Sequence, residues 1–366
     1  MDEVLVAAGT LIVILVLYDV FAAIVVPRQT TSALRLGPFL LNRILWPGFL
    51  KIVSLKPLSR SRNELLALFA PAAFGVIMLV WLFIMLIGFA VILYGLRSDI
   101  KPAINTIGDA VYFSGTSLLT LGFGDVVALS WRARLIVLVA AISGLSFMAL
   151  QVSYLFTVQN LVQQREQVVN AIVSRSGAPA SGIIILLRYK ELDIVNALNS
   201  SFLQWEAWIS NILESHRAYV ILMFFRSTNQ TESWVSVLGA MLDAASLLLT
   251  SIEDVHVGEA DLFYWLACST VQALCGLHNL KYDEKVHLTY DEFLQGLHLL
   301  EGAGYKTAEP ERAWTLFSAR RRGYIGYLCA LAENFSVRKN YWVYDLFTIR
   351  AEEQETLRES VFRPRV

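Results

Sequence analysis

Charge is scarce in this chain: Asp, Glu, Lys and Arg supply 17% of its 366 residues, against about 25% in soluble domains. With hydrophobic residues at 56%, a single soluble globular domain is excluded. The net charge of −1 lacks the basic field that nucleic-acid partners require, so none is expected. Cysteine is rare too. Cys268, Cys275 and Cys329 are too few for a disulfide framework and read as reduced core thiols. Cys275, His278, His287 and His298 do not follow the paired short spacings of a zinc centre, which argues against a bound metal. No Gly-x-Gly-x-x-Gly follows a strand pattern: Gly302-Ala303-Gly304 lacks the third glycine, which argues against a dinucleotide fold. Asp283-Glu284 lacks the ligand alternation and central glycine of an EF-hand. No nucleophile and base fall into a catalytic pattern, so neither an enzyme nor a cofactor is expected.

What the chain does have is long apolar runs. Val4 to Val26, Ala67 to Leu96 and Leu135 to Phe156 each meet the roughly 20 residues a helix needs to cross a bilayer. The expectation is an all-α membrane protein with three spans. Between the first two, Arg28, Arg35, Arg43, Lys51, Lys56, Arg60 and Arg62 precede the first acidic residue, Glu64, and such basic segments stay in the cytoplasm. The first span then runs inward, the second outward and the third inward, leaving the C-terminal part cytoplasmic. Asp2 and Glu3 at the head of the first span, with no small-x-small site after it, predict a retained helix rather than a cleaved leader. Asp19 within that span calls for a partner, either Arg28 or a backbone donor. Phe39 to Lys56, broken at Pro47-Gly48 and carrying Trp46, predicts an interfacial helix pair on the inner leaflet, or one packed on the cytoplasmic domain. No span carries Arg or Lys at every third position, so a voltage sensor is not expected.

Between the second and third runs stands Thr120-Leu121-Gly122-Phe123-Gly124-Asp125. Rings of backbone carbonyls can replace an ion's hydration shell if the peptide holds them toward an axis. Successive inward carbonyls demand backbone angles that side-chained residues resist, which gives Gly122 and Gly124 their purpose. Here the chain resembles the potassium channel superfamily, whose signature is Thr-x-Gly-(Tyr or Phe)-Gly-Asp, and the resemblance covers about residues 67 to 160. It implies a potassium-selective filter at Thr120 to Asp125, with potassium coordinated at Thr120, Leu121, Gly122 and Phe123. It places Tyr112, Phe113 and Thr116 on a pore helix, about Gly108 to Leu119, that supports the filter. Gly144 falls at the inner-helix hinge position, although a packing glycine looks the same in sequence. Phe123 replaces the commoner Tyr, Leu121 is bulkier than the usual Val or Ile, and Thr116 stands where some relatives carry Glu. Four copies of one pore loop must surround an ion, so the resemblance implies a homotetramer.

Residues 161–366 hold 24 acidic and 19 basic side chains, a net −5 of an ordinary folded domain. Trp205, Trp208, Ile209, Ile212 and Leu213 share one helical face, as do Trp234, Val237, Leu238, Met241 and Leu242. Thr289 to Glu292 is a capping box, and Trp314, Phe317, Tyr324 and Tyr327 mark a further helix. A helical bundle is expected, with Ile183 to Leu187 a possible strand. Arg320-Arg321-Arg322 reads as a solvated, ion-paired helix face, or else a site for an anionic lipid or nucleotide, and His216, Arg217 and Arg226 flank an aromatic stretch that could form a ligand pocket.

The expected organisation is a transmembrane helix (1–27), a basic linker (28–63), a pore domain (64–162), a second linker (163–182) and a helical cytoplasmic domain (183–366) open to an unknown ligand or protein. The leading function is a potassium channel without a voltage sensor, needing no cofactor beyond the permeant ion. The alternatives are a weakly selective cation channel and a membrane-anchored sensor or scaffold with a non-conducting pore.

Overall fold

The computed structural model describes residues 2–24, 36–54, 59–176, 180–227, 233–256, 258–283 and 288–335. The protein is all-α, and among the described residues strand pairing is confined to one two-residue ribbon and an isolated bridge. Two compact units divide the chain: Met1–Asn160 with Ala218–Phe225, and Leu161–Arg217 with Arg226–Val366.

In the first unit, α1 (Asp2–Ile24) lies along α4 (Ser59–Gly95). Small residues bring the two backbones together: a Cβ on Gly9 would sit 2.7 Å from the Gly88 carbonyl oxygen, and one on Gly95 2.9 Å from that of Asp2. Such close approach is how helices associate where lipid removes the hydrophobic drive. Asp2 and Arg97 pair across the ends at 2.9 Å. Asp19 is buried and accepts hydrogen bonds from the Trp81 indole at 2.7 Å and from the Leu36 backbone at 3.2 Å. A backbone donor is thus found, while Arg28 lies outside the described residues.

The segment between those helices forms α2 (Leu36–Phe39), a π-helical turn (Leu40–Leu45) and α3 (Trp46–Ser54). Trp46 is buried edge-on to Phe69 of α4, ring centroids 4.8 Å apart. After α4 come a 3₁₀ turn (Arg97–Asp99), β1 (Ile100–Lys101), α5 (Ile107–Leu118), β2 (Val127–Ala128) and α6 (Trp131–Ser176). The strands pair antiparallel, Ile100 with Ala128 and Lys101 with Val127, so the chain entering α5 is tied to the chain entering α6. Ser130 strengthens the tie by donating to Asp99 at 2.8 Å while accepting from the Ala133 amide at 3.2 Å.

In the second unit, α9 (Trp234–Ser251) is surrounded by α7 (Gly182–Glu191), α10 (Gly258–Leu277), α12 (Pro310–Arg322) and α13 (Ile325–Asn334). The periodicity suggested one apolar face; instead every residue of α9 except Leu249 is buried. By length and composition α9 is a fourth helix able to cross a membrane, beside α1, α4 and α6, yet a helix apolar all round is equally a core helix. Its own unit encloses it. Ile183 to Leu187 is helical within α7, not a strand: a Cβ on Gly182 would meet the Ala244 amide at 2.6 Å, and this packing on α9 overrides β-branched propensity. The bundle is completed by α8 (Leu198–Ala218) and α11 (Tyr290–Gly302). In α11 the Thr289–Glu292 capping box is formed as expected.

Arg320 to Arg322 is ion-paired as expected, but only in part solvated. Arg321 is buried and its Nε lies 3.2 Å from Asp243, which also accepts from the Tyr324 hydroxyl. Arg320 pairs with Asp261 at 2.9 Å and lies over the Tyr264 ring, and Arg322 alone is exposed. The imagined pocket at His216 does not form: His216 is buried against Trp234, Arg217 pairs with Glu214, and Arg226 bonds the Phe335 carbonyl. Among the described residues no group of three or more His, Cys, Asp or Glu side chains could hold a metal; His287 lies outside them.

Candidate functional site

The site begins with α5, twelve residues whose N-terminus is closed by a full capping box: Thr106 accepts from the Asp109 amide at 3.2 Å and Asp109 accepts from the Thr106 amide at 2.9 Å. The helix is fastened to α4 where the Ser114 hydroxyl donates to the Leu86 carbonyl at 2.9 Å. Phe113 is buried in a cluster with Ala90, Leu93, Ile104 and Ala133. The negative end of the helix dipole therefore lies at Leu118, directly before the glycine-bearing loop.

The loop leaves the helix through bonds to Thr116, whose backbone carbonyl accepts from the Leu121 amide at 2.8 Å and the Gly122 amide at 3.3 Å. Its side chain turns back to the Phe113 carbonyl at 3.0 Å. Thr116 thus holds the loop through its backbone carbonyl. From there φ alternates in sign: Thr120 is at +57°, Gly122 at +57° and Gly124 at +80°, whereas Leu121 and Phe123 between them are not in the positive region. Where positive and negative φ alternate, successive peptide groups can present their carbonyls along one edge, the kind of edge that a carbonyl-lined ion path uses.

A Cβ on Gly122 or Gly124 would meet nothing within 4 Å. Conformation, not crowding, is the reason for these glycines. At the far end, the Tyr112 hydroxyl donates to the Asp125 carboxylate at 2.7 Å, and the carboxylate also accepts from the Val126 amide at 3.1 Å. The sequence reading placed Tyr112 as a packing aromatic; its hydroxyl role follows from the thirteen-residue return of the loop onto the helix, which no local pattern reveals. The strip is thus held at both ends by α5.

Gly144 lies on α6 where that helix crosses the end of α5. A Cβ there would collide with the Leu118 carbonyl oxygen and lie 2.8 Å from its carbon. Close packing is the role on view, and α6 is continuous through the position. Beside the strip a cavity of 520 Å³ is lined by Phe113, Thr116, Ser117, Phe123 and Val137, among others. Phe123 and Leu121 are 67% and 54% exposed in the single chain.

Residues 76–159 match the model of an ion-channel family. The matched region takes in the second half of α4, all of α5, the loop and α6 as far as Gln159. Over these residues the first unit is similar to an ion-channel pore. Over 230 residues the chain is 22% identical to the uncharacterized membrane protein YdjJ of Bacillus subtilis. That similarity spans 60% of this chain and 65% of the relative, a little under two thirds of the relative's length. No solved structure matches the chain. The apolar helices and the membrane-protein relative agree that this is a membrane protein.

Proposed function

We propose that the protein is a potassium-selective, homotetrameric channel without a voltage sensor, conducting through carbonyls of Thr120 to Phe123. The observation that carries this reading is the alternating sign of φ at Thr120, Gly122 and Gly124 in a strip anchored by Thr116 and by the Tyr112 to Asp125 bond. An ordinary turn needs one such residue, or two adjacent ones. Selectivity follows from the carbonyls, which neither Leu121 nor Phe123 alters in kind. Fourfold assembly is supported by what one chain leaves uncovered: Phe123, Leu121 and apolar side chains on several sides of α6, including Leu138, Val139 and Met148. Exposure to lipid accounts for part of α6, but not for the loop side chains beside a peptide strip that needs partners to encircle an ion.

In this reading the basic segment between α1 and α4 faces the cytoplasm, the loop opens outward, and the second unit is a cytoplasmic domain that biases the open state. The test is the reversal potential of reconstituted protein between potassium and sodium solutions. A value near the potassium equilibrium potential, lost in Gly122→Ala with assembly intact, is the expected result. Equal sodium permeability would replace this reading with a weakly selective channel, and selective flux through the Gly122→Ala variant would remove the filter assignment.

A further inference from the structure

Eight residues of the C-terminal half do not belong with their neighbours. The chain leaves the second unit after Arg217, runs through the first unit from Ala218 to Phe225, and returns to the second at Arg226. The detour is the apolar stretch Val220-Ile221-Leu222-Met223-Phe224, wound as a 3₁₀ turn with its last four residues buried. Phe224 lies between Trp46 of α3 and Phe69 of α4, ring centroids 5.2 and 5.4 Å away. Tyr219 packs edge-on to Tyr154 of α6 at 5.4 Å, and Tyr154 itself stacks on Phe74 of α4 with an interplanar angle of 3°. One short segment therefore touches both helices that flank the pore loop in sequence, through two groups of rings, Phe224 with Trp46 and Phe69 at one end and Tyr219 with Tyr154 and Phe74 at the other.

We infer that Ala218–Phe225 is the coupling element through which the second unit sets the pore. This deepens the channel reading and rests on it. The second unit is joined to the first covalently at three places, through α6 and at both ends of this segment. A pull on α6 alone would move the helix along its whole length. A pull on Ala218–Phe225 acts on the packing between α4 and α6, because Tyr219 cannot leave Tyr154 without altering the face that Tyr154 stacks on Phe74. Packed aromatic contacts hold discrete arrangements rather than sliding continuously, so these rings supply a two-state element whose balance a distant domain can bias. A solvated loop would carry polar residues at these positions.

The experiment compares wild type, Tyr219→Ala, Tyr219→Phe and Phe224→Ala in planar bilayers, with the assembled state of each checked by size. Tyr219→Ala and Phe224→Ala should change the open probability by about fivefold or more, the lower end of ordinary coupling, with unitary conductance and selectivity unchanged. Tyr219→Phe, which keeps the ring, should behave as wild type. A further variant with glycine–serine insertions between Arg217 and Ala218 and between Phe225 and Arg226 keeps every ring and slackens only the covalent pull; it should shift the open probability as strongly. It also serves should Phe224→Ala fail to assemble. Wild-type open probability in Tyr219→Ala and in the insertion variant would overturn the inference while leaving the channel reading standing. An assembled wild type that passes no potassium would overturn that reading, and this one with it.

Discussion

Replacing Gly144 with Ala separates two roles that one glycine can play in an inner helix. A hinge glycine is conserved in function by flexibility, and Ala there stiffens the helix and adds about 1 kcal/mol of helix propensity. A packing glycine is required by space. Here the added Cβ would collide with the Leu118 carbonyl oxygen and approach its carbon to 2.8 Å, inside the 3.0 Å that real Cβ atoms respect. The obstacle is backbone, at the last residue of α5, one position before the turn that starts the filter strip. It cannot rotate away as a side chain would. Either α6 retreats from α5 or the end of α5 is displaced, and overpacking of this kind costs about 1–3 kcal/mol at each site.

The measurement is thermal unfolding in detergent together with potassium flux. Gly144→Ala should lower the unfolding midpoint by roughly 2–12 °C, using about 2–4 °C per kcal/mol for a protein part of this size, and should reduce flux because Leu118 leads directly into Leu119 and Thr120. Gly115→Ala on α5 is the control: its Cβ would meet only the Leu86 Cδ1 at 3.5 Å, an ordinary contact, so it should be neutral or slightly stabilising. A Gly144→Ala protein with an unchanged midpoint and altered opening only would refute the packing argument in favour of the hinge.

Other expectations follow from single contacts. Tyr112→Phe removes the 2.7 Å bond to Asp125 and should make the filter collapse more readily in low potassium, seen as flux that decays faster after potassium is withdrawn; flux indistinguishable from wild type would show the bond to be idle. Trp81→Phe takes the indole donor from Asp19 inside the α1 to α4 contact and should cost about 1–3 kcal/mol, read from the unfolding midpoint. Arg321→Leu leaves Asp243 buried beside Tyr324 without its cation and should cost about 3–5 kcal/mol, while adding Asp243→Leu should recover part of it. Burial, helped by nearby Arg165, pushes His216 down to about 3, and burial alone pushes His278 down to about 4. Both are neutral in the fold and protonate more readily when unfolded, so the stability they contribute is complete above about pH 6.5 and is lost as pH falls toward 4 and 3. His216→Phe should flatten that acid loss, as followed by unfolding at pH 7, 5.5 and 4.

The conformation of the glycine-bearing loop was legible because its demand is local. Thr120 to Asp125 carry their conformational demand in their own residue types, and the structure places positive φ at both glycines, as carbonyl alignment requires. The supporting bonds were legible only by residue, not by atom: Tyr112 and Thr116 were expected near the loop, but which groups they would use depends on how the strip folds back over α5. Where the reading went astray, a local pattern met a long-range competitor. Ile183 to Leu187 has strand-forming residues, yet Gly182 lets it press against Ala244, and burial on a helix decided the outcome. Arg321 looked like one of three exposed cations because nothing in the sequence near it announces Asp243, seventy-eight residues away.

The segment Ala218–Phe225 is the sharpest case. Its apolar composition was visible, but composition alone cannot distinguish a core strand of the second unit from an insertion into the first. The partners decide it, and they lie at Trp46, Phe69 and Tyr154, between 65 and 178 residues away. A chain that needed its C-terminal domain only as a counterweight on α6 would have no reason to spend five consecutive large apolar residues on the other unit. Their placement against both α4 and α6 makes mechanical sense if the relation between those two helices is the quantity being controlled. In the proposed channel, the loop from Thr120 to Asp125 would fix which ion passes, and Tyr219 and Phe224 how often it does.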